Sequence, residues 1–178
     1  VKFTQTKLAG LTVVELNPIT DDRGFFSRAW CTREFEGAGL HTGAAQMNVS
    51  FNRYRGTVRG LHYQLPPHAE QKLVRCIAGA IFDVAVDLRP ESKTYKQWFG
   101  IELSQSNRLA LCIPEGFAHG YQALSDDSEV LYLVSSHYHK DAERGARFDD
   151  PSFAIQWPLP PQHVSEKDRA SPLWSASS

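Results

Sequence analysis

The sequence predicts an all-β protein, a sandwich or barrel of short strands with few helices. Strand-like apolar runs recur at short intervals along most of the 178 residues and are separated by Gly, Pro, Asn and Ser-Asp clusters. No 3.6-residue pattern runs long enough for a substantial helix. No repeat, linker or low-complexity segment divides the chain, so residues 1–178 are expected to form one domain.

The elements follow in order. LTVVEL (11–16) ends at Asn17-Pro18, a turn signal. DDRGFFSRAW (21–30) reads as a turn and then an aromatic strand. Thr32 is placed to cap a short helix, stopped by Gly37 and Gly39. In AAQMNVSFN (44–52), Met47, Val49 and Phe51 alternate with Gln46, Asn48, Ser50 and Asn52, a half-buried strand showing amides to one side. TVRGLHYQL, KLVRCI, AIFDVAVDL, WFGIELS, LALCIPE, FAHGYQAL and EVLYLVSSHY come next. After Asp150-Pro151 the chain is Pro-rich and irregular, with Ser165 placed to cap one helical turn.

Composition excludes several classes. A net charge of −1 argues against a nucleic-acid or membrane-surface partner. The apolar runs are shorter than a membrane span and are interrupted by Arg75, Asp83 and Asp87. The N-terminal VKFTQTKLAG lacks the apolar core of a signal peptide. Cys31, Cys76 and Cys112 show no C-x-x-C spacing, which argues against a disulfide framework or zinc ribbon. Buried free thiols and a cytoplasmic location are expected.

Of the seven histidines, His41, His68, His137, His139 and His163 fall in or near predicted turns and strand ends. His62 and His119 lie inside strand runs beside Gly60 and Gly120, which permit close approach to the backbone. Either alone reads most simply as a buried, hydrogen-bonded histidine. Alternation places His62 with Gly60 and Gln64, Lys72 with Val74 and Cys76, His119 with Tyr121, and Tyr132 with Val130 and Val134. A lysine starting a buried strand is costly unless used or paired. A concave interior holding His, Lys, Tyr and a second His is a candidate active site rather than a dry core.

Gly56, His62 and Gly79 share the punctuation of the first cupin motif, and Pro114-Glu115-Gly116-Phe117-Ala118-His119 resembles the second. The resemblance implies a cupin-type jelly-roll β-barrel. Where metal-binding cupins carry two histidines and a glutamate, this chain has His62, Gln64 and Lys72. An ammonium repels a divalent cation, and an amide is a poor substitute for imidazole. No metal is therefore expected.

DDRGFF, QMNVSFN, GTVRGLHYQ, QKLVRC, DLRPESKTY, PEGFAHGYQAL, VLYLVSSHY and VSEKD resemble, in that order, the dTDP-4-dehydrorhamnose 3,5-epimerases, over about residues 3 to 170. The resemblance implies cofactor-independent epimerisation of a nucleotide-linked 4-keto-6-deoxyhexose, most simply a dTDP-sugar, at C3, C5 or both. It also implies a homodimer with exchanged N-terminal strands. By the match His62 is the general base, Asp168 orients it, Lys72 stabilises the enolate and Tyr132 returns a proton. Arg59 and His119 match diphosphate contacts. Gln46 and Asn48 match sugar or nucleotide contacts, and Arg23 a nucleotide contact given by the partner subunit. Tyr138 would stack on the base, and Glu143 and Lys167 match further ligand contacts. Arg28 departs from the family pattern, standing where a nucleotide-side glutamate is usual. Competing readings are a ketoisomerase of the same substrates, a metal-dependent cupin oxygenase or isomerase, and a non-catalytic sugar-binding barrel.

Overall fold

The computed structural model describes residues 1–41 and 43–174. One antiparallel sheet has the order β1-β2-β10-β7-β12-β5, built from Lys2–Gln5, Thr12–Glu15, Ala110–Ile113, Lys72–Ala78, Ser128–Val134 and Gln46–Asn52. A second has the order β13-β6-β11-β8-β9, built from Glu143–Gly145, Val58–Gln64, Phe117–Ala123, Ala80–Asp87 and Trp98–Ser104. A small hairpin joins β3 (Ile19–Asp21) to β4 (Gly24–Phe26). The six-stranded and five-stranded sheets share no strand pairing, so the expected closed jelly-roll barrel is not formed. The fold is an open sandwich. Alternating burial along a strand is the same in both architectures, so the sequence did not distinguish them.

The core between the sheets takes Val74, Cys76, Leu111, Ile113 and Val130 from one side and Ile81, Ala85, Leu103, Phe117 and Tyr121 from the other. The outer face of the five-stranded sheet (Leu61, Val84, Val86, Ala118) is covered by Phe153, Ile155, Trp157 and Trp174 of the irregular C-terminal segment. Helix α1 (Thr32–Gly37) lays Phe35 over Val14, Leu73 and Cys112 on the outer face of the six-stranded sheet. Fully burying one such aromatic contributes about 2–3 kcal/mol. The residue flanking α1 is Cys31, which makes no side-chain cap, so the helix starts at Thr32 rather than after it.

Strand β5 inverts the expected packing. Its amides point into the sandwich, while Met47, Val49 and Phe51 face outward with 66%, 60% and 46% exposure. It is an edge strand, with β12 as its only neighbour among the described residues.

The C-terminal segment returns to β6. Gln162 N–H donates to Gly56 O at 3.1 Å, Val58 N–H donates to His163 O at 3.1 Å, and Val58 bridges Val164. Helix α2 (Glu166–Arg169) follows, with Ser165 Oγ accepting from Asp168 N–H at 3.1 Å as the sequence predicts. The three cysteines are free, and burial pushes Cys76 up to about 11 and Cys112 up to about 12. Thiols so raised are inert at neutral pH. Among the described residues no helix is long and apolar enough to cross a membrane.

Candidate active site

A cavity of about 250 Å³ opens between the inner faces of the two sheets. On the six-stranded side it is lined by the cross-strand row Gln46–Val134–Lys72 and by Asn48 and Tyr132 of the next row. His62 and Gln64 of β6 and Glu143 of β13 line the opposite side, with Tyr138 also in the lining. Strand alternation makes these rows, because residues directly opposite one another share a face.

His62 Nε2 lies 2.7 Å from Asp168 Oδ1. The other carboxylate oxygen accepts from Gly60 N–H at 3.2 Å. Burial tends to raise the Asp168 carboxyl, but the hydrogen bonds from His62 and Gly60 outweigh it and hold the pKa below its ordinary value. An ionised carboxylate fixes both the ring orientation and the position of the ring proton.

Gly60 and Gly120 serve the fold before the ligand. A Cβ on Gly60, whose φ is +108°, would stand 2.6 Å from Gly120 Cα and 2.7 Å from His119 O. The close approach is strand against strand. Here the β6–β11 register shifts, with Tyr121 opposite Arg59 but His119 opposite His62. The extra residue on β6 brings Arg59 and His62 to the same face, where simple alternation would separate them. Arg59 donates to Asn52 Oδ1 at 2.8 Å and to Phe51 O at 3.1 Å.

Lys72 is not alone in the cavity wall. Its Nζ lies 3.1 Å from Glu70 Oε1, and both side chains are only 11% exposed. Glu70 was missed by sequence reasoning. It precedes the strand, so alternation gave no signal, although a carboxylate two positions from a buried lysine was a usable one. Gln64, in a cupin ligand slot, serves as a clasp. Its Oε1 accepts from His139 N–H at 2.7 Å, and its amide nitrogen faces His68 O, His137 O and Glu70 Oε2 at 2.9, 3.2 and 3.3 Å. Among the described residues no group of three or more His, Cys, Asp or Glu is placed to hold a metal ion.

The Tyr132 hydroxyl makes no hydrogen bond among the described residues and faces the cavity. Burial raises its pKa, Arg59 lowers it and Glu70 raises it, with a net upward shift. Tyr138 donates from Oη to Glu143 Oε2 at 3.0 Å, and its backbone N–H donates to Gln46 Oε1 at 2.6 Å. Lys167 Nζ meets Glu143 Oε1 at 2.6 Å. Burial works to raise the Glu143 carboxyl, but Lys167 and Tyr138 hold it below its usual range.

Arg23, Arg59 and His119 lie outside the cavity lining, and Lys167 and Asp168 reach it only through Glu143 and His62. His119 is buried, with Nε2 2.7 Å from Asp83 Oδ1, and does not line the cavity. Arg23 sits in the exposed β3–β4 hairpin, paired to Asp21. Arg28 pairs with Glu34 at 2.7 Å, also outside the cavity.

Comparison with known proteins places this geometry. The family model "dTDP-4-dehydrorhamnose 3,5-epimerase" matches residues 5–176. A protein of that name from Methanothermobacter thermautotrophicus is 44% identical over 171 residues, covering 94% of this chain and 91% of its own. The crystal structure of the Bacillus anthracis enzyme of that name, with TDP and PPi bound, superposes with a TM-score of 0.94 at 40% identity, covering 97% of this chain and 99% of that one. A Legionella pneumophila dTDP-6-deoxy-D-glucose-3,5-epimerase in complex with dTDP-4-keto-L-rhamnose gives 0.90 at 38% identity, covering 96% and 90%.

Proposed function

The chain belongs to the dTDP-4-dehydrorhamnose 3,5-epimerase family, and we propose that it works through a His62 base and a Tyr132 acid on opposite walls of the cavity. It is an isomerase that epimerises a nucleotide-linked 4-keto-6-deoxyhexose at C3/C5. The observation that carries the assignment of roles is the division between the sheets. His62 belongs to β6 of one sheet, and Tyr132 and Lys72 belong to β12 and β7 of the other.

Inversion needs a proton removed from one face of a carbon and returned to the other. His62 takes the proton from the carbon beside the C4 ketone, and the C–H electron pair moves into a C=C bond as the carbonyl becomes an enolate. Asp168 supports the imidazolium so formed. The Lys72 ammonium stabilises the enolate oxygen as a preorganised cation. Tyr132 then gives its phenolic proton to the opposite face, and the ketone re-forms. Exchange with water returns a proton to Tyr132 and removes one from His62. A raised tyrosine pKa suits this role, because the hydroxyl is still protonated when the enolate arrives.

Arg59 is assigned to the diphosphate, Gln46 and Asn48 to sugar or nucleotide, Tyr138 to base stacking, and Glu143 and Lys167 to the rim of the site, while the buried His119, closed on Asp83, is given no ligand contact in this chain. The preferred nucleotide is dTDP. The working unit is a cytoplasmic homodimer with exchanged N-terminal strands, in which Arg23 reaches the other subunit's nucleotide. The uncovered apolar face of β5 and the exposed Ile19 and Phe26 of the hairpin support an assembly.

Solvent-exchange NMR tests the reading. In D₂O, a dTDP-4-keto-6-deoxyhexose should take up deuterium at C3 or C5, and His62→Ala should slow the uptake by about a hundredfold or more. Tyr132→Phe should still wash deuterium into unreacted substrate but yield little inverted product. Absence of uptake with dTDP-, CDP-, GDP- and UDP-4-keto sugars alike would sink the proposal. A product with a moved carbonyl would establish ketoisomerisation instead.

A further inference from the structure

Glu70 lies in the cavity wall beside the cation that the chemistry uses, and no role has yet been given to it. Its Oε1 is 3.1 Å from Lys72 Nζ, and both side chains are nine-tenths buried. Its Oε2 is the most distant of three acceptors around the Gln64 amide nitrogen, at 3.3 Å against 2.9 and 3.2 Å for the His68 and His137 carbonyls. That nitrogen carries only two hydrogens, so Gln64 is bound to the backbone first and to Glu70 last. Lys72 is thus the principal partner of Glu70. Lysine has four rotatable side-chain bonds and a point charge, and it does not hold one position without a fixed partner. The backbone of Lys72 is fixed in β7, where it pairs with Val134 on one side and Ile113 on the other.

We propose that Glu70 is a positioning residue for Lys72, an acceptor that holds the ammonium at the point in the cavity where the enolate oxygen develops. The inference rests on the role given above to Lys72. A carboxylate beside a developing anion opposes it electrostatically. Its retention makes sense when a fixed direction for the cation matters more than the full strength of its field, because a displacement on the order of 1 Å can lower a rate about a hundredfold.

A double-mutant cycle tests this, with kcat and KM followed by product NMR on the full chain. Glu70→Ala should lower kcat by about ten- to a hundredfold and change KM by less than about twofold. Glu70→Gln keeps an acceptor for Lys72 and should recover most of the lost kcat, and it keeps the test alive if Glu70→Ala folds poorly. In a Lys72→Ala background, Glu70→Gln and Glu70→Ala should have almost no further effect, since the group they position is gone. Loss of rate that persists undiminished in that background would overturn the proposal. So would an effect confined to KM, which would mark Glu70 as a substrate contact, or Glu70→Gln no better than Glu70→Ala. Lys72→Ala with wild-type kcat would instead remove the role given to Lys72, and this inference with it. In that case His62→Ala shows separately whether the rest of the mechanism stands.

Discussion

Two histidine–aspartate pairs sit side by side on the five-stranded sheet, one closed within it by Asp83 of β8 and one completed from outside by Asp168 of α2. His62 and His119 are cross-strand partners, and each closes on its carboxylate at 2.7 Å. Their surroundings differ. The His62 side chain is 34% exposed and lines the cavity, and Asp168 also accepts from Gly60 N–H. His119 and Asp83 are sealed, and Asp83 Oδ2 has no partner among the described residues. One bond therefore serves two purposes. Where the imidazole is open to the cavity, the carboxylate fixes the orientation of an accessible ring. Where the imidazole is sealed, the two side chains satisfy each other, and neither can be removed cheaply.

The sharpest way to separate the pairs is to delete each histidine. His62→Ala should reduce deuterium uptake by about 10²- to 10⁴-fold. Its unfolding free energy in urea should fall by no more than about 1–2 kcal/mol, because Asp168 keeps the Gly60 N–H. His119→Ala should reverse the pattern in stability, with a loss of about 3–5 kcal/mol from stranding Asp83. Asp83→Ala combined with His119→Ala should cost less than the sum of the single changes, which the same urea titrations will show. Gly60→Ala strikes both pairs at once, since its Cβ meets the backbone of Gly120 and His119. The left-handed φ and the overlap together should cost about 2–4 kcal/mol by thermal or urea unfolding.

The smallest effect depends on pH. The lowered pKa of Asp168 means that its contribution to stability is complete above the ordinary value of 3.8 and is lost as pH falls through the lowered one. The gap in melting temperature between wild type and Asp168→Asn should therefore be full at about pH 6 and close as pH drops below about 3.8. A gap that widened on acidification would mean that Asp168 enters the fold protonated.

Much of this was readable from residues alone. The strands follow from alternation and from Gly and Pro punctuation, and Ser165 announces α2. His62, Lys72 and Tyr132 are readable because each stands out of place in an apolar run. Alternation reports that one face of a strand is buried, but not against what, and β5 shows the consequence. Met47, Val49 and Phe51 look like a core face, yet the cavity takes the amides. Arg59 defeats odd–even counting because the β6–β11 register shifts beside it. Glu70 lies outside any strand, where no period exists to follow. Asp168 is 106 residues from His62, and only the docking of the C-terminal segment on β6 brings the two together.

That docking also sets an order of events. The last strand of the sandwich, β13, ends at Gly145, well before Asp168. A chain emerging during synthesis therefore has every strand of both sheets available while His62 still lacks its carboxylate. Asp168 comes within reach of His62 only after the segment around Ser165 has closed onto Val58. The strands supply most of the cavity wall, but the His62–Asp168 pair is complete only once the C-terminal segment is in place.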